Sequence, residues 1–396
     1  MSPFDKLRVT SSFFVNQGII TEILYFIMNL LGKVFLILGF FMIFNSKAPA
    51  SNYKNPDYNP AKKHHRIDGF MNRYLPEMPQ GNFLKWQAEK LTKGFPKKTS
   101  AEFRQQISAK KPDLNFIQNN RDEIAATWIG HSTILLQIDG LNILTDPQFS
   151  DRASPISFLG PKRFAPLNIN IADLPHIDAV LISHNHYDHL DLATVRKLMK
   201  QKNGAPKFFV PLGVQYWFLK NIEGAILQGE NQNIFAMDWD DSLEIAGKAA
   251  PVKIEFLAVQ HWSARSNSDR NETLWGSFAV LSPKFRFWFS GDLGYSKDIS
   301  DIANHLKKLD LAAISIGAYE PRWFMKNYHV NPWEAVKIME ELNAKKALAI
   351  HFGTFLNLTD ETLDQPISDL KTALDEAEIE HERFLIPLLG ESFRNF

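Results

Sequence analysis

The run "DAVLI" (178–182) is short, apolar and β-rich. It hands over directly to "SHNHYDHLD" (183–191), which places three histidines and two aspartates in nine residues. Three more apolar runs end in a residue able to bind a metal: "VKIEFLAVQ" before His261, "FRFWFSG" before Asp292 and "KALAI" before His351. A fold that gathers four such strand ends on one edge is tightly restricted. "KFFVP" and "FAVLS" add further strands, and helical patterns such as "DLATVRKLMKQ" and "NPWEAVKIMEELNA" lie between several of them. Pro332 near the start of the latter suits a first helical turn. Strands alternating with helices predict an α/β layered architecture. "ATWIGHSTILLQIDGLNILTDP" reads as two strands joined by a turn at Asp139-Gly140.

Spacing within the motif sharpens the chemistry. His184 and His186, two apart in an extended or turning segment, project to one side and can share a metal. Asp188 and His189 follow as the chain turns into a helix starting near Asp191, and they face a neighbouring position. Neutral imidazole and carboxylate suit zinc and similar divalent ions. A polar loop with chance histidines would explain one cluster, but not three further strand ends of the same kind. A two-metal site needs more ligands than one loop supplies, and His261, Asp292 and His351 are the candidates.

Composition removes other chemistries. The chain has no cysteine, which excludes disulfides, thiolate zinc sites and cysteine nucleophiles. Lys+Arg and Asp+Glu both number 44, so no net basic field favours nucleic acid. A hydrophobic content of 45% over 396 residues is ample for a core in one large domain or two.

The N-terminus differs. Residues 19–44 are mostly apolar, interrupted by Glu22, Asn29 and Lys33. The uninterrupted "VFLILGFFMIF" (34–44) is too short to span a bilayer alone. It has the length of a signal-peptide apolar region, with Lys33 before it and the small residues of "APA" (48–50) after it. Translation from Met28 gives such a signal an ordinary length; an uncleaved anchor is the alternative. Residues 45–63 read as a linker, and "NFLKWQAEKLT" (82–92) as a short amphipathic helix within an extension. Three parts result: 1–50, a hydrophobic signal or anchor segment; 51–120, a linker and extension; 121–396, the main domain, which carries the candidate metal ligands.

The order H-x-H-x-D-H, then His, Gly-Asp and His resembles the metallo-β-lactamase superfamily. "GAYEPRWFMK", with "SGDLGY" and "AIHFGTF" in support, narrows the resemblance to the N-acyl-phosphatidylethanolamine-hydrolysing phospholipase D family and its bacterial relatives. It covers the chain from about Ile67 onward. It implies a four-layer αββα sandwich holding two Zn2+ ions: His184, His186 and His261 on one, Asp188, His189 and His351 on the other, and Asp292 bridging both. It makes Asp292 and Asp188 the catalytic carboxylates, with a metal-bridging hydroxide attacking phosphorus to release N-acylethanolamine and phosphatidic acid. Tyr187 and His329 match positions near the substrate, although Tyr187 also reads as a packing aromatic. Tyr328 stands where the family has glutamine. The implied partners are a phospholipid substrate and a membrane surface, in a bacterial cell envelope, either anchored or periplasmic after signal cleavage. No nucleic acid is expected, and a homodimer is allowed.

Competing readings are another hydrolase of this fold, such as a lactonase of a sugar phosphate or a different phosphodiesterase, and a binding module with a dead site. The complete ligand set opposes the last. A nuclease lacks its Lys/Arg stripe. His131 reads as structural, holding the first hairpin near the site. His64, His65, His176, His305 and His381 read as surface or packing residues. Among 31 phenylalanines, an exposed subset including Arg322–Phe324 is expected to form an apolar entrance.

Overall fold

The computed structural model describes residues 53–75, 85, 86, 89, 101–266, 268–394 and 396. The apolar segment 19–44, Met28, the "APA" at 48–50 and most of the helix expected at 82–92 lie outside the described residues; Lys85, Trp86 and Glu89 are helical. Among the described residues, no helix is long and apolar enough to cross a membrane.

A two-stranded hairpin comes first, β1 (His65–Arg66) and β2 (Gly69–Phe70). The first large sheet is built from β3 (Ala125–Gly130), β4 (Thr133–Ile138), β5 (Leu141–Thr145), β6 (Ala179–Leu181), β7 (Lys207–Pro211) and β8 (Ile234–Met237). The second holds β9 (Ser242–Ile245), β10 (Val252–Leu257), β11 (Ser277–Leu281), β12 (Arg286–Phe289), β13 (Leu309–Ser315), β14 (Ala344–Ile350) and β15 (Phe384–Leu385). A last strand, β16 (Ser392–Arg394), returns to the first sheet beside β3. Each sheet is antiparallel on one side and parallel on the other, the change falling at β5 in the first and β12 in the second.

Strand alternation explains the layering. Ile134, Leu136, Ala179 and Leu181 face the second sheet and pack with Phe256, Phe278 and Trp288. Their neighbours Leu135, Val180 and Ile182 turn outward onto Val195, Leu198, Val214 and Phe218, from the helices Leu192–Leu198 and Val214–Asn221. Successive residues point to opposite faces, so buried strands this apolar must be covered on both sides. The helices Asp298–Leu306, Pro332–Glu341 and Gln365–Glu376 supply Ile299, Ile302, Val336, Ile338 and Leu370 to the core around the second sheet. The result is the four-layer αββα sandwich.

Local signals place two helices as expected. Asp191 caps Leu192–Leu198 by accepting from the Ala193 amide. Asn331 and Glu334 form a reciprocal capping box ahead of Pro332–Glu341. The first strand region differs: it is three strands, not two. The chain reverses at His131-Ser132 as well as at Asp139-Gly140. His131 takes φ +54°, and the β3–β4 register shifts between Trp128 and Gly130. Gly130, at φ +144°, supplies a backbone setting that other residues rarely adopt, and packing completes the reversal.

Candidate metal centre

The strand ends converge. His184, His186, His261 and Asp292 bring one ligand atom each within 4.8 Å of one another, and so do His131, Asp188, His189 and His351. One oxygen of Asp292 sits between the groups. Its Oδ2 is 3.1 Å from Nε2 of both His189 and His351 and 3.8 Å from Nε2 of both His184 and His261. Asp188 Oδ2 is 3.6 Å from the same nitrogens of His189 and His351. Gly291 makes the approach of the two sheets possible. It has φ +57°, and a Cβ there would come within 2.6 Å of the Ser183 side chain.

The residues fit bound cations. Nε2 of His186, His189, His261 and His351 and Oδ1 of Asp292 are buried without a hydrogen-bond partner. Buried polar atoms are normally paired, and these five, gathered around Asp292 in the two groups, describe a coordination set. The outer nitrogens of His184, His189 and His261 are meanwhile tied down, whereas His351 Nδ1 is buried without a partner. His261 Nδ1 donates to the Tyr328 carbonyl at 2.9 Å. His189 Nδ1 lies 2.6 Å from Asp146 Oδ2, and His184 Nδ1 lies 2.9 Å from Ser183 Oγ, which itself donates to Asp146. Such outer contacts fix which ring nitrogen faces the metal.

Charge in the centre follows the same geometry. Burial holds His186 and His261 neutral, each pushed down to about 3. Burial also opposes ionising Asp188 and Asp292, but His189, with other imidazoles, outweighs it and holds both well below the usual carboxylate range. Burial would likewise keep His189 and His351 neutral. Asp292 above all outweighs it, aided by Asp188, lifting His351 to about 9 and His189 well above the ordinary value. Without cations, then, protons on these two imidazoles balance the carboxylates; cations would displace them.

The remaining expected residues take varied places. His329 is next to the centre, its ring 5.3 Å from His261 and 5.4 Å from His351. The Tyr187 hydroxyl donates to the Arg265 carbonyl at 3.0 Å, and its ring carries the Arg265 guanidinium at 3.9 Å. Of Arg322–Phe324, Trp323 is exposed, whereas Phe324 is buried and stacked on Trp86. His131 is inside the cluster: Nε2 is 3.1 Å from Asp188 Oδ2, and its ring is 4.0 Å from that of His351. His64 and His65 are buried and clasp the two oxygens of Asp238 at 2.6 and 2.9 Å. His176, His305 and His381 each lie beside a carboxylate.

Two contributors carried no warning in the motif. Asp146, fully buried at the end of β5, orients His189 and Ser183. Its position at a strand end on the same edge is the signal that singles it out. Asn72, in the extension, grips the His261 backbone from both sides: its amide donates to the carbonyl and accepts from the N–H, each at 3.0 Å.

The paired ligand sets at one edge of an αββα sandwich define a metal-dependent hydrolase of the metallo-β-lactamase superfamily, and the chain belongs to that superfamily. Residues 141–352 match the model of the beta-lactamase superfamily domain. The chain is 40% identical over 268 residues to N-acyl-phosphatidylethanolamine-hydrolyzing phospholipase D 1 of Caenorhabditis elegans, covering 67% of this chain and 74% of that one. It is 34% identical over 269 residues to the mitochondrial enzyme of the same name from Saccharomyces cerevisiae, covering 67% and 55%. Among solved structures, a possible metal-dependent hydrolase from Veillonella parvula superposes with a TM-score of 0.51 at 15% identity, covering 69% of this chain and 100% of that one. An isothiocyanate hydrolase from Delia radicum gut bacteria gives 0.51 at 19%, covering 69% and 99%. These two likenesses are of fold.

Proposed function

We propose that this protein is a dinuclear zinc phosphodiester hydrolase of the phospholipase D type, acting on N-acyl-phosphatidylethanolamine-like lipids at a membrane surface. The observation that carries it is the convergence of His184, His186, Asp188, His189, His261, Asp292 and His351, in a chain 40% identical to an enzyme named for that reaction. His184, His186 and His261 would hold one ion and Asp188, His189 and His351 the other. Asp292 would serve both. When bound, a divalent pair supplies Lewis acidity that makes water a competent nucleophile near neutral pH and neutralises phosphodiester charge.

The chain's own residues do the rest. Asp188 and Asp292 stay ionised and hold the imidazoles in register. Asp146, Ser183, the Tyr328 carbonyl and Asn72 fix ring orientation. His329 offers a buried Nδ1 without a partner beside the centre, and burial pushes it down to about 3, so it meets substrate as a neutral imidazole. Hydrolysis breaks the bond between phosphorus and the ethanolamine oxygen. Hydroxyl goes to phosphorus and a proton to the leaving oxygen.

The test is release of N-acylethanolamine from vesicles containing N-acyl-phosphatidylethanolamine, by metal-stripped and zinc-restored protein, beside a panel of other phosphodiesters and lactones. Zinc-dependent release exceeding every other substrate is expected. Turnover of a lactone or soluble diester with none of the lipid would overturn the reading.

A further inference from the structure

The loop between β10 and β11 carries two arginines of opposite design. Arg265 spends its guanidinium on the protein: it donates to the carbonyls of Asn185 and Leu190, at 2.7 and 2.9 Å, and lies on the Tyr187 ring. It braces the ligand loop. Arg270 does not. Its guanidinium lies 4.3 Å over the Trp262 ring and 6.0 Å from that of Tyr328, whose phenol is its polar neighbour. Among the described residues, no carboxylate forms an ion pair with it.

That placement is unusual for a part-buried cation. A guanidinium has five donors in a rigid fork suited to carboxylate or phosphate, and removing it from water without a counter-charge is costly. The site is also close to the chemistry. Trp262, under Arg270, packs edge-on against His186 with ring centroids 4.4 Å apart. Trp262, Ala264 and Tyr328 form a small apolar cluster of their own. The aromatic faces hold the guanidinium by cation–π attraction, and beyond the Tyr328 hydroxyl no described residue takes up its fork of donors.

We infer that Arg270, seated on Trp262 and Tyr328, forms a binding subsite for a phosphate-type anion one aromatic ring away from the metal centre. It rests on the proposed function only in naming phosphate as the anion. Its source is either the substrate's own phosphate group or the headgroup of a neighbouring anionic lipid.

Calorimetric titration of metal-loaded wild type and Arg270→Gln with dihexanoyl phosphatidic acid decides whether the subsite exists, independently of turnover. Binding about ten- to hundredfold weaker in the variant is expected, the worth of a charge-assisted contact, with metal content per chain unchanged. Arg270→Lys, which keeps the charge but not the fork, should recover part of the loss. Vesicles of phosphatidylcholine carrying N-acyl-phosphatidylethanolamine, with or without phosphatidylglycerol, separate the sources. A raised KM in both kinds of vesicle assigns Arg270 to the substrate's phosphate; one confined to phosphatidylglycerol vesicles assigns it to a neighbouring headgroup. Affinity within twofold of wild type, loss of metal from the variant, or an unchanged KM in both vesicles overturns the inference. If wild type hydrolyses none of the lipid, the proposed function fails, and the calorimetry still decides the subsite.

Discussion

Asp292 and His184 face a point that several imidazoles share. Replacing either with alanine should remove nearly all hydrolysis, measured on purified protein with metal added back; wild-type turnover in either variant would refute the assignment. Asp146 acts one step further out. Asp146→Ala frees both His189 and Ser183, and outer contacts of this kind are worth about ten- to a hundredfold in metal affinity or activity. Competition with a chromophoric chelator reads that loss directly. A carboxyl far from the centre gives a pH prediction. Burial pushes Asp298 up to about 6 against the pull of the Ser296 hydroxyl, and its Oδ1 has no partner. A raised acid binds its proton more tightly when folded, so it lowers stability as pH rises from about 4 to about 6 and costs most above that. Asp298→Asn should therefore stabilise the protein at pH 7.5, by at most roughly 3 kcal/mol, and much less at pH 4.5. Equal gains at both pH values in urea unfolding would exclude the effect. The seven candidate ligands stand out in the sequence because each follows an apolar run. Asp146 follows one too, but an Asp-Pro at a strand end also reads as an ordinary turn, and His131 depends on a reversal whose one local mark is Gly130.

Strands and helices were legible where periodicity and caps agree, as at Asp191 and Asn331. They were not legible where the local mark is a lone glycine, as at the His131-Ser132 reversal after Gly130, or where packing overrides local preference, as at the end of β10 at Leu257, four residues short of the candidate ligand it leads to. The segment 53–75 shows the limit most clearly. Nothing near Asn72 in sequence hints that it grips His261, 189 residues away. The segment is fastened by the clasp of His64 and His65 on Asp238 and by the Phe70 amide on the Asn271 carbonyl at 2.8 Å. Asn72→Ala would leave the buried His261 N–H and carbonyl without these partners, a loss of about 1–3 kcal/mol for each unsatisfied group. A lowered Tm together with weaker metal retention is expected. A lowered Tm with wild-type retention would mean that Asn72 serves the fold alone.

For the whole molecule, the candidate metal centre lies between two sheets that also meet through apolar side chains and a few backbone hydrogen bonds, such as the Gly276 amide on the Ser183 carbonyl at 3.0 Å. His184, His186, Asp188 and His189 follow β6 of the first sheet; His261, Asp292 and His351 follow strands of the second. Cations bound there act as a cross-link, and any ligand that binds only the folded state stabilises it by mass action. Stripping metal with a chelator should lower Tm, and restoring zinc should raise it again. An unchanged Tm would show that the sandwich holds without the centre. A different consequence comes from β16. Thr127 on β3 meets Ser392 on β16 at 2.7 Å across 265 residues of chain. During synthesis at about 5–20 residues per second, the outer edge of β3 waits roughly 15–50 s for the strand that covers it. An uncovered edge is a template for pairing with another chain. The newborn protein therefore passes through a period of open-edged vulnerability that the finished molecule no longer displays.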